Sequence, residues 1–203
     1  MPIHPIFPQP VYFSKLERAL TKEELKIVDE YKKKTHPNDS NTTSNDNYIL
    51  ENKSLKNLKK DLHTKVMDYF DKVICTDNLI TPHITQSWIN YTKSDQFHHK
   101  HNHPNSLVSG IFYISADKKV DSVTFYKPHR EETIKLNINK YNMFNSTSFK
   151  FLVETGNILL FQSSLVHGVE KKKGPDTRIS LSFNVFFKGK IGEAAQLTGL
   201  TLG

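Results

Sequence analysis

Short strand-like segments follow one another through most of the chain after residue 80, and they constrain its fold more than any other feature. The segments are 84–91, 107–115, 122–126, 133–138, 149–153, 158–161 and 178–187. Gly, Pro, Asn and Asp residues separate them. Strands of this length and spacing are typical of antiparallel domains in which two sheets pack face to face. The pattern predicts a sandwich or a jelly roll.

The first 80 residues have a different character. Residues 1–15 contain four prolines and predict an extended arm, while Thr21 with Glu23 and Glu24 predicts the start of a helix. Leucine, valine and aromatic residues recur every three or four positions over 55–73 and predict an amphipathic helix. We therefore expect an N-terminal arm and helices over 1–80 that pack on a β core over 81–203, within a single structural domain.

The segment 38–47 consists of polar residues, and we expect it to be a mobile loop because it offers nothing apolar to bury. Together with residues 127–132, it is a candidate for the entrance to a binding site. The sequence identifies no particular substrate or partner.

Composition and cysteine usage limit the broad class of the protein. A chain of 203 residues with 36% hydrophobic residues can form one domain with a full core. It has no apolar run of roughly twenty residues, so we expect no membrane span. The start lacks the pattern of a signal peptide, and the lone cysteine, Cys75, suits a reducing compartment. We expect a cytoplasmic protein, monomeric or homodimeric.

The net charge of +7 comes from 28 basic and 21 acidic residues. Such an excess attracts nucleic acid or an acidic protein surface, although solvated lysines on an ordinary surface are the favoured explanation. The run Lys171, Lys172 and Lys173 lies between two candidate site residues, His167 and Arg178, and can form the rim of a site.

Three histidines form a candidate metal site. His101 and His103 are two positions apart, so an extended strand directs both imidazoles to one face. His167 follows a segment that reads as a buried strand. Neutral imidazoles from two strands can hold a divalent first-row transition metal. The alternative is a polar, histidine-rich turn, since His98 and His99 precede the pair; those two are more consistent with supporting positions than with ligands.

Arg178 is a candidate binding group for an acidic ligand, because guanidinium binds carboxylate in a two-pronged geometry. It lies eleven residues beyond His167, and Ser180 faces the same way on an extended strand. The alternative is a surface arginine on an edge strand.

Several short motifs in a fixed order resemble those of the iron(II)- and 2-oxoglutarate-dependent oxygenases. The motifs are His-x-His-Pro-Asn-Ser (101–106), Ser-Gly-Ile-Phe-Tyr (109–113), Gly-x-Ile-Leu-Leu-Phe (156–161), His-Gly-Val (167–169) and Arg-Ile-Ser-Leu-Ser-Phe-Asn (178–184). The opening segment 6–11 is also similar. More narrowly, the chain resembles an uncharacterised branch of bacteria and phages that is related to the prolyl hydroxylases. The resemblance covers most of the chain.

The resemblance implies a mainly β fold with N-terminal helices around a double-stranded β-helix, the jelly-roll or cupin-like core. It implies Fe(II) bound by His101 and the distal His167. The family has a carboxylate where this chain has His103, so His103 is either a third ligand or leaves that position open to water or an anion. An imidazole there leaves the metal more positive than a carboxylate does.

The resemblance also implies that 2-oxoglutarate is bound by Arg178 and Ser180, with Tyr91 or Tyr113 as a hydrogen-bond donor. For each tyrosine, packing in the core is an equal alternative. The implied cofactors are Fe(II), 2-oxoglutarate and O2.

The implied reaction is hydroxylation of a C–H bond, with a protein or peptide residue such as proline as the substrate by analogy. The implied location is the cytoplasm, that of a bacterial host cell if a phage encodes the protein. Two other functions stay open: oxidation of a nucleic-acid base, which the basic charge suggests, and a non-catalytic jelly-roll module that binds a metal or another ligand.

Overall fold

The computed structural model describes residues 3–128, 134 and 136–203, which form twelve strands and two α-helices. The helices are α1 (Lys22–Lys32) and α2 (Lys56–Tyr69). The strands are β1 (Val11–Lys15), β2 (Thr35–Asn38), β3 (Asn41–Ser44), β4 (Ile80–Thr92), β5 (His98–His101), β6 (Val108–Ser115), β7 (Ser122–Tyr126), β8 (Ser148–Leu152), β9 (Asn157–Gln162), β10 (His167–Val169), β11 (Arg178–Ile191) and β12 (Leu200–Leu202). The predicted strand at 133–138 and the predicted entrance at 127–132 include residues outside the described part.

The strands form two sheets. The major sheet has the order β1-β9-β6-β11-β4-β3-β2, with β12 also paired to β11, and the minor sheet has the order β5-β10-β7-β8. Their pairings are antiparallel throughout. The mainly β architecture with N-terminal helices that the sequence predicted is confirmed.

Alternation along the strands divides the core into two layers. On β6, Ile111 and Tyr113 pack with residues that include Phe125 and Phe161 of the minor and major sheets. Phe112 and Ile114 point the opposite way, into the cluster formed with the helices. Successive strand residues face opposite sides of a sheet. The major sheet is therefore covered by the helices on one face and by the minor sheet on the other.

Helix α1 begins at the residue that the sequence indicated. The Glu24 backbone N–H donates to Thr21 Oγ1 (3.1 Å), and the Thr21 backbone N–H donates to Glu24 Oε2 (2.8 Å). This reciprocal capping box satisfies two N–H groups that a helix start otherwise leaves unpaired. Arg18 donates to both oxygens of Glu24 at 2.7 Å, so the nearly buried carboxylate is fully paired.

Helix α2 places its leucine and valine stripe against the major sheet, with Leu58, Leu62 and Val66 fully buried. The helical chain continues as one π-helical turn over Phe70–Ile74. The predicted helix over 55–73 is thus present, and its final turn has wider hydrogen bonding than an α-helix.

The segment 38–47 is not the mobile loop that its polar composition predicted. Strands β2 and β3 form a hairpin through it, and β3 pairs with β4. Hydrogen bonds, rather than buried apolar side chains, hold the hairpin on the sheet. For example, Thr43 Oγ1 donates to the Ile89 carbonyl (3.3 Å). Asp39 occupies the left-handed region at the turn (φ 49°), a conformation that aspartate tolerates. The hairpin tip lies beside β5, where Asp39 Oδ2 is 2.7 Å from His99 Nδ1.

Strands from both sides of residue 80 share the major sheet, since β1 pairs with β9 and β3 pairs with β4. The division into 1–80 and 81–203 stays a prediction. Within the described residues, the helices are all too short or too polar to cross a membrane.

Candidate active site

His101 and His167 meet because their strands pair in register. They are direct partners across β5 and β10, and their ring centroids are 4.4 Å apart. His103 lies just beyond β5, where its backbone N–H donates to the Ser163 carbonyl (2.9 Å). Its ring is 5.0 Å from that of His101 and 5.2 Å from that of His167. The three imidazoles therefore surround one point at the end of the minor sheet.

Backbone carbonyls determine which ring nitrogen is available in two of these histidines. His101 Nδ1 lies 2.9 Å from the His99 carbonyl, and His167 Nδ1 lies 3.1 Å from the Leu165 carbonyl. Since a carbonyl can only accept, each Nδ1 carries the proton and each Nε2 presents its lone pair. Metal-binding histidines in proteins are commonly oriented by this kind of hydrogen bond.

Burial keeps the three imidazoles neutral. It lowers the pKa of His167 to about 3 and, together with the neighbouring His101, lowers the pKa of His103 to about 4. The pKa of His101 is also lowered, chiefly by burial. A metal ion binds the neutral form of imidazole. All three side chains are therefore in their ligand form at neutral pH.

The donor set fits a divalent transition metal. One ligand nitrogen from each of His101, His103 and His167 lies within 4.8 Å of the others. Ligands roughly 2.1 Å from one ion lie about 3.0 to 3.4 Å from each other at neighbouring positions, so modest side-chain rotations would bring the three nitrogens to one ion. His98, His99 and His101 make a second group of the same kind. In the described part of the chain, both groups consist of histidine alone, without a carboxylate.

Arg178 opens onto the same cavity as the histidines. It is 3% exposed, and its Nη2 donates to Thr92 Oγ1 (3.1 Å) on the paired strand β4. Burial lowers the pKa of Arg178, but an arginine stays charged in proteins. The cavity encloses about 420 Å³ including its open mouth, and its lining consists of Trp88, Asn90, His98, His101, His103, Ile111, Tyr113, His167, Val169, Arg178, Ser180 and Ser182. Three imidazoles and a guanidinium thus share one cavity.

Of the predicted ligand-binding residues other than the histidines, the structure brings Arg178, Ser180 and Tyr113 together. Tyr113 is the register partner of Ser180, and burial raises the pKa of its phenol to about 12. Its hydroxyl is therefore a proton donor at neutral pH. Both side chains lie on the cavity face of the major sheet.

Tyr91 does not join them. Its neighbour Asn90 faces the cavity, so strand alternation directs Tyr91 to the opposite face, under α1. There its hydroxyl donates to the Val28 carbonyl (2.6 Å). Tyr91 occupies the core position that was its alternative, and its side chain does not line the cavity.

Sequence reasoning did not name Asn90 and Ser182 as cavity residues, although strand alternation indicates both. Ser182 follows Ser180 by two positions, and Trp88 and Asn90 are likewise two apart on β4. His98 also lines the cavity, with its ring stacked 4.5 Å from that of His101. Its pKa is lowered to about 3 by burial and by its neighbouring histidines. His98 is a wall residue beside the three candidate ligands.

A second, wider cleft continues outward from the histidines between the β2–β3 hairpin and the loop after His103. It encloses about 1390 Å³, including open solvent. Besides histidines, its lining consists largely of carboxamides: Asn38, Asn47, Gln86, Asn105 and Asn184. Trp88 and Pro104 add apolar surface. The described lining contains no lysine, arginine, aspartate or glutamate.

Comparisons with known proteins agree with this fold. Residues 86–184 match the model of a family described as putative 2OG-Fe(II) oxygenase. The segment includes the histidines, Arg178 and Ser180, together with Tyr91 and Tyr113. A search among curated proteins finds no match.

Solved structures share the fold at low sequence identity. A 2OG-Fe(II) oxygenase family oxidoreductase from Burkholderia pseudomallei is 15% identical, with a TM-score of 0.56 and coverage of 86% of this chain and 83% of that one. A prolyl-4-hydroxylase of Pseudomonas putida is 9% identical, with a TM-score of 0.56 and coverage of 89% and 93%. HygX of Streptomyces hygroscopicus, solved with nickel and 2-oxoglutarate, is 12% identical, with a TM-score of 0.60 and coverage of 87% and 82%. The predicted double-stranded β-helix is confirmed.

Proposed function

We propose that this chain, which belongs to the 2-oxoglutarate- and Fe(II)-dependent oxygenases, hydroxylates a C–H bond in a residue of a protein or peptide. As a member of that superfamily it is an oxidoreductase that uses Fe(II), 2-oxoglutarate and O2. One observation carries the proposal: three neutral imidazoles and a buried guanidinium line a single cavity.

His101, His103 and His167 are the proposed metal ligands. His101 and His167 bind through Nε2, since each Nδ1 donates to a backbone carbonyl. Bound Fe(II) supplies the activation of O2, coupled to decarboxylation of 2-oxoglutarate to succinate. With His103 in place of a carboxylate, the three protein ligands contribute no negative charge. A divalent metal held there would keep one more positive charge than at a site with one carboxylate ligand, which would favour an anionic co-substrate.

Arg178 is the proposed partner of the far carboxylate of 2-oxoglutarate. Its guanidinium is held by Thr92 and lies in an interior where a charge-assisted hydrogen bond is stronger than in water. Ser180 and the neutral phenol of Tyr113 are two further donors on the same face. These groups orient the co-substrate so that its other end points toward the histidines.

The outer cleft is the proposed substrate site. Because it is open along one side, it can admit an extended segment of chain as well as a compact small molecule. Its carboxamides can donate to and accept from peptide groups, and Trp88 and Pro104 offer apolar contacts for a ring such as that of proline. The structural relative from Pseudomonas putida is named a prolyl-4-hydroxylase. The cleft's described lining has no lysine or arginine for a phosphate backbone, so it does not favour a nucleic-acid substrate.

The first test is turnover of 2-oxoglutarate. Purified protein with Fe(II), 2-oxoglutarate and O2 is expected to release succinate, and His167→Ala is expected to abolish that release. His4→Ala, which alters an exposed histidine remote from the cavity, is the matched control. A protein that retains no Fe(II) and produces no succinate would instead be the non-catalytic binding module.

The second test identifies the substrate class. Incubation with a library of proline-containing peptides and with single-stranded DNA is followed by mass spectrometry. The proposal expects one added oxygen on a peptide, dependent on 2-oxoglutarate. Oxygen added to the DNA and to none of the peptides would assign the protein to nucleic-acid oxidation.

A further inference from the structure

Behind Arg178 lies a buried cluster of three charges that the proposed reaction does not explain. Asp121 and Lys172 each have side chains only 1% exposed, and the Arg178 side chain is 3% exposed. Charged side chains are almost never buried to this degree unless they are paired. Lys172 is the middle residue of the lysine run, yet it points into the protein while Lys171 pairs with Asp95 at the surface.

The geometry of the cluster is asymmetric. Lys172 Nζ lies 3.3 Å from Asp121 Oδ1, whereas Arg178 Nη1 lies 3.9 Å from the same oxygen. The other oxygen of Asp121 accepts from the Asp117 backbone N–H (2.9 Å). Asp121 is therefore paired mainly with Lys172 and only loosely with Arg178.

The charges in this cluster do not cancel. Two cations face one anion, and Arg178 is the member that lines the cavity. A buried excess positive charge is costly unless an anion from outside completes the pairing. The cluster is therefore one negative charge short, and the open side of Arg178 is where that charge can be supplied.

We propose that Lys172 is a positioning residue that neutralises Asp121 and thereby keeps the Arg178 guanidinium free to bind the carboxylate of the co-substrate. The inference rests on the proposed function, because it takes Arg178 as the co-substrate anchor. Lys172 does not line the cavity; besides its ion pair with Asp121, its Nζ donates to the Lys173 carbonyl (3.2 Å), so its proposed effect on Arg178 passes through Asp121.

Loss of Lys172 would change the partner of Asp121. The carboxylate would keep its bond to the Asp117 backbone and would have Arg178 as its nearest remaining cation. A guanidinium paired with a buried carboxylate is a poor partner for a second one, because the two anions compete for the same N–H groups. Binding of 2-oxoglutarate should then weaken, although no residue that touches it has changed.

The experiment measures the dissociation constant of 2-oxoglutarate by calorimetry on Ni(II)-loaded protein, which does not turn over. Lys172→Met is expected to weaken binding by roughly 10- to 100-fold, the scale of one charge-assisted hydrogen bond. The double variant Asp121→Asn with Lys172→Met removes the competitor as well and should restore binding to within about threefold of wild type. Lys171→Met, at the neighbouring surface position, is the matched control and should bind like wild type.

The single variant Asp121→Asn tests the proposal independently, because the direction of its change in 2-oxoglutarate affinity is predicted. Without the competing carboxylate, 2-oxoglutarate should bind at least as tightly as in wild type, while thermal unfolding of the ligand-free protein falls to a lower temperature. If Lys172→Met fails to fold, this variant alone decides the proposal. A purely structural role for the cluster predicts that Lys172→Met, Asp121→Asn and the double variant all bind 2-oxoglutarate more weakly than wild type. In that case the double variant would not regain the affinity that Lys172→Met loses.

Other outcomes separate this inference from the proposed function. If wild type binds 2-oxoglutarate and Lys172→Met binds it equally well, or if Asp121→Asn binds it more weakly, the role of Lys172 is overturned and the proposed function stands. If wild-type Ni(II)-loaded protein does not bind 2-oxoglutarate at all, both are overturned.

Discussion

His101 and His167 are directly opposite each other on neighbouring antiparallel strands, with ring centroids 4.4 Å apart and each Nδ1 bound to a backbone carbonyl two residues earlier. The pairing of β5 with β10 thus brings together two proposed ligands that are 66 positions apart in the chain. It also orients both rings before any metal binds. Preorganised ligands lose little conformational entropy on binding.

This arrangement predicts that either residue is required for metal binding. His101→Ala and His167→Ala should each reduce Fe(II) affinity by at least about a hundredfold, since a site of three ligands becomes a site of two. Equilibrium dialysis under anaerobic conditions measures the affinity. A single replacement that left the affinity unchanged would show that the metal, if any, is bound elsewhere.

His103 provides a more specific test, because the resemblance of its motif predicts that it replaces a carboxylate ligand. His103→Ala is expected to weaken Fe(II) binding by roughly tenfold or more, whereas His103→Asp should retain binding because a carboxylate is an equally suitable ligand. Full affinity in His103→Ala would mean that His101 and His167 are the only protein ligands among the three. The same dialysis measurement decides between these outcomes.

The two tyrosines form a matched pair. Tyr113→Phe should raise the KM for 2-oxoglutarate by about fivefold to tenfold, because a hydrogen bond to a charged group is lost, with little change in stability. Tyr91→Phe should leave KM unchanged and reduce the free energy of unfolding by about 1 kcal/mol, because its buried bond to the Val28 carbonyl is lost. Succinate kinetics and urea unfolding measure the two effects. An interchange of the two results would contradict the assignment of faces on β4 and β6.

The lowered histidine pKa values predict how stability depends on pH. In the folded, metal-free protein the pKa is about 3 for His98 and His167 and about 4 for His103, against an ordinary value of 6.5. Below pH 6.5 the unfolded chain therefore binds more protons than the folded chain, so acidification favours unfolding. The loss should continue down to about pH 4, where these groups begin to protonate in the folded state as well.

Thermal unfolding between pH 8 and pH 4 tests this dependence. The melting temperature of the metal-free protein should be nearly constant above pH 7 and fall steadily below 6.5. His98→Gln should make the decline shallower, because one of the histidines that titrate differently in the two states is removed. A decline of unchanged steepness in that variant would assign the effect to other groups.

Local patterns in the sequence were sufficient for most secondary structure and for naming the histidines and the arginine that line the cavity. The residues Thr21, Glu23 and Glu24 predicted where α1 begins, because a helix start is satisfied by side chains within one turn. Alternation along β11 placed Arg178 and Ser180 on one face. Such features depend on residues that are close together in the chain, so they can be predicted from the sequence.

Other expectations failed where distant partners decide the outcome. The polar segment 38–47 became a hairpin because β4 supplies hydrogen-bond partners, and Thr43 bonds to a carbonyl 46 residues away. Tyr91 and Tyr113 were equal candidates in the sequence, but the Tyr91 side chain faces the helices. Trp88 and Asn90 are two positions apart and face the cavity, so strand alternation directs Tyr91 to the other face. The residue type alone does not distinguish Tyr91 from Tyr113.

By itself, the sequence determined a mainly β chain with two N-terminal helices, and it singled out the histidines and the arginine as candidate chemistry. Only the tertiary structure decided that these groups share one cavity and that Asp121 and Lys172 lie buried behind Arg178. The physical reason is that strand pairing and burial of charge depend on contacts between residues far apart in the chain. Lys172, in a run of three lysines, is expected from the sequence to be solvated, and only the structure shows its buried partner, Asp121.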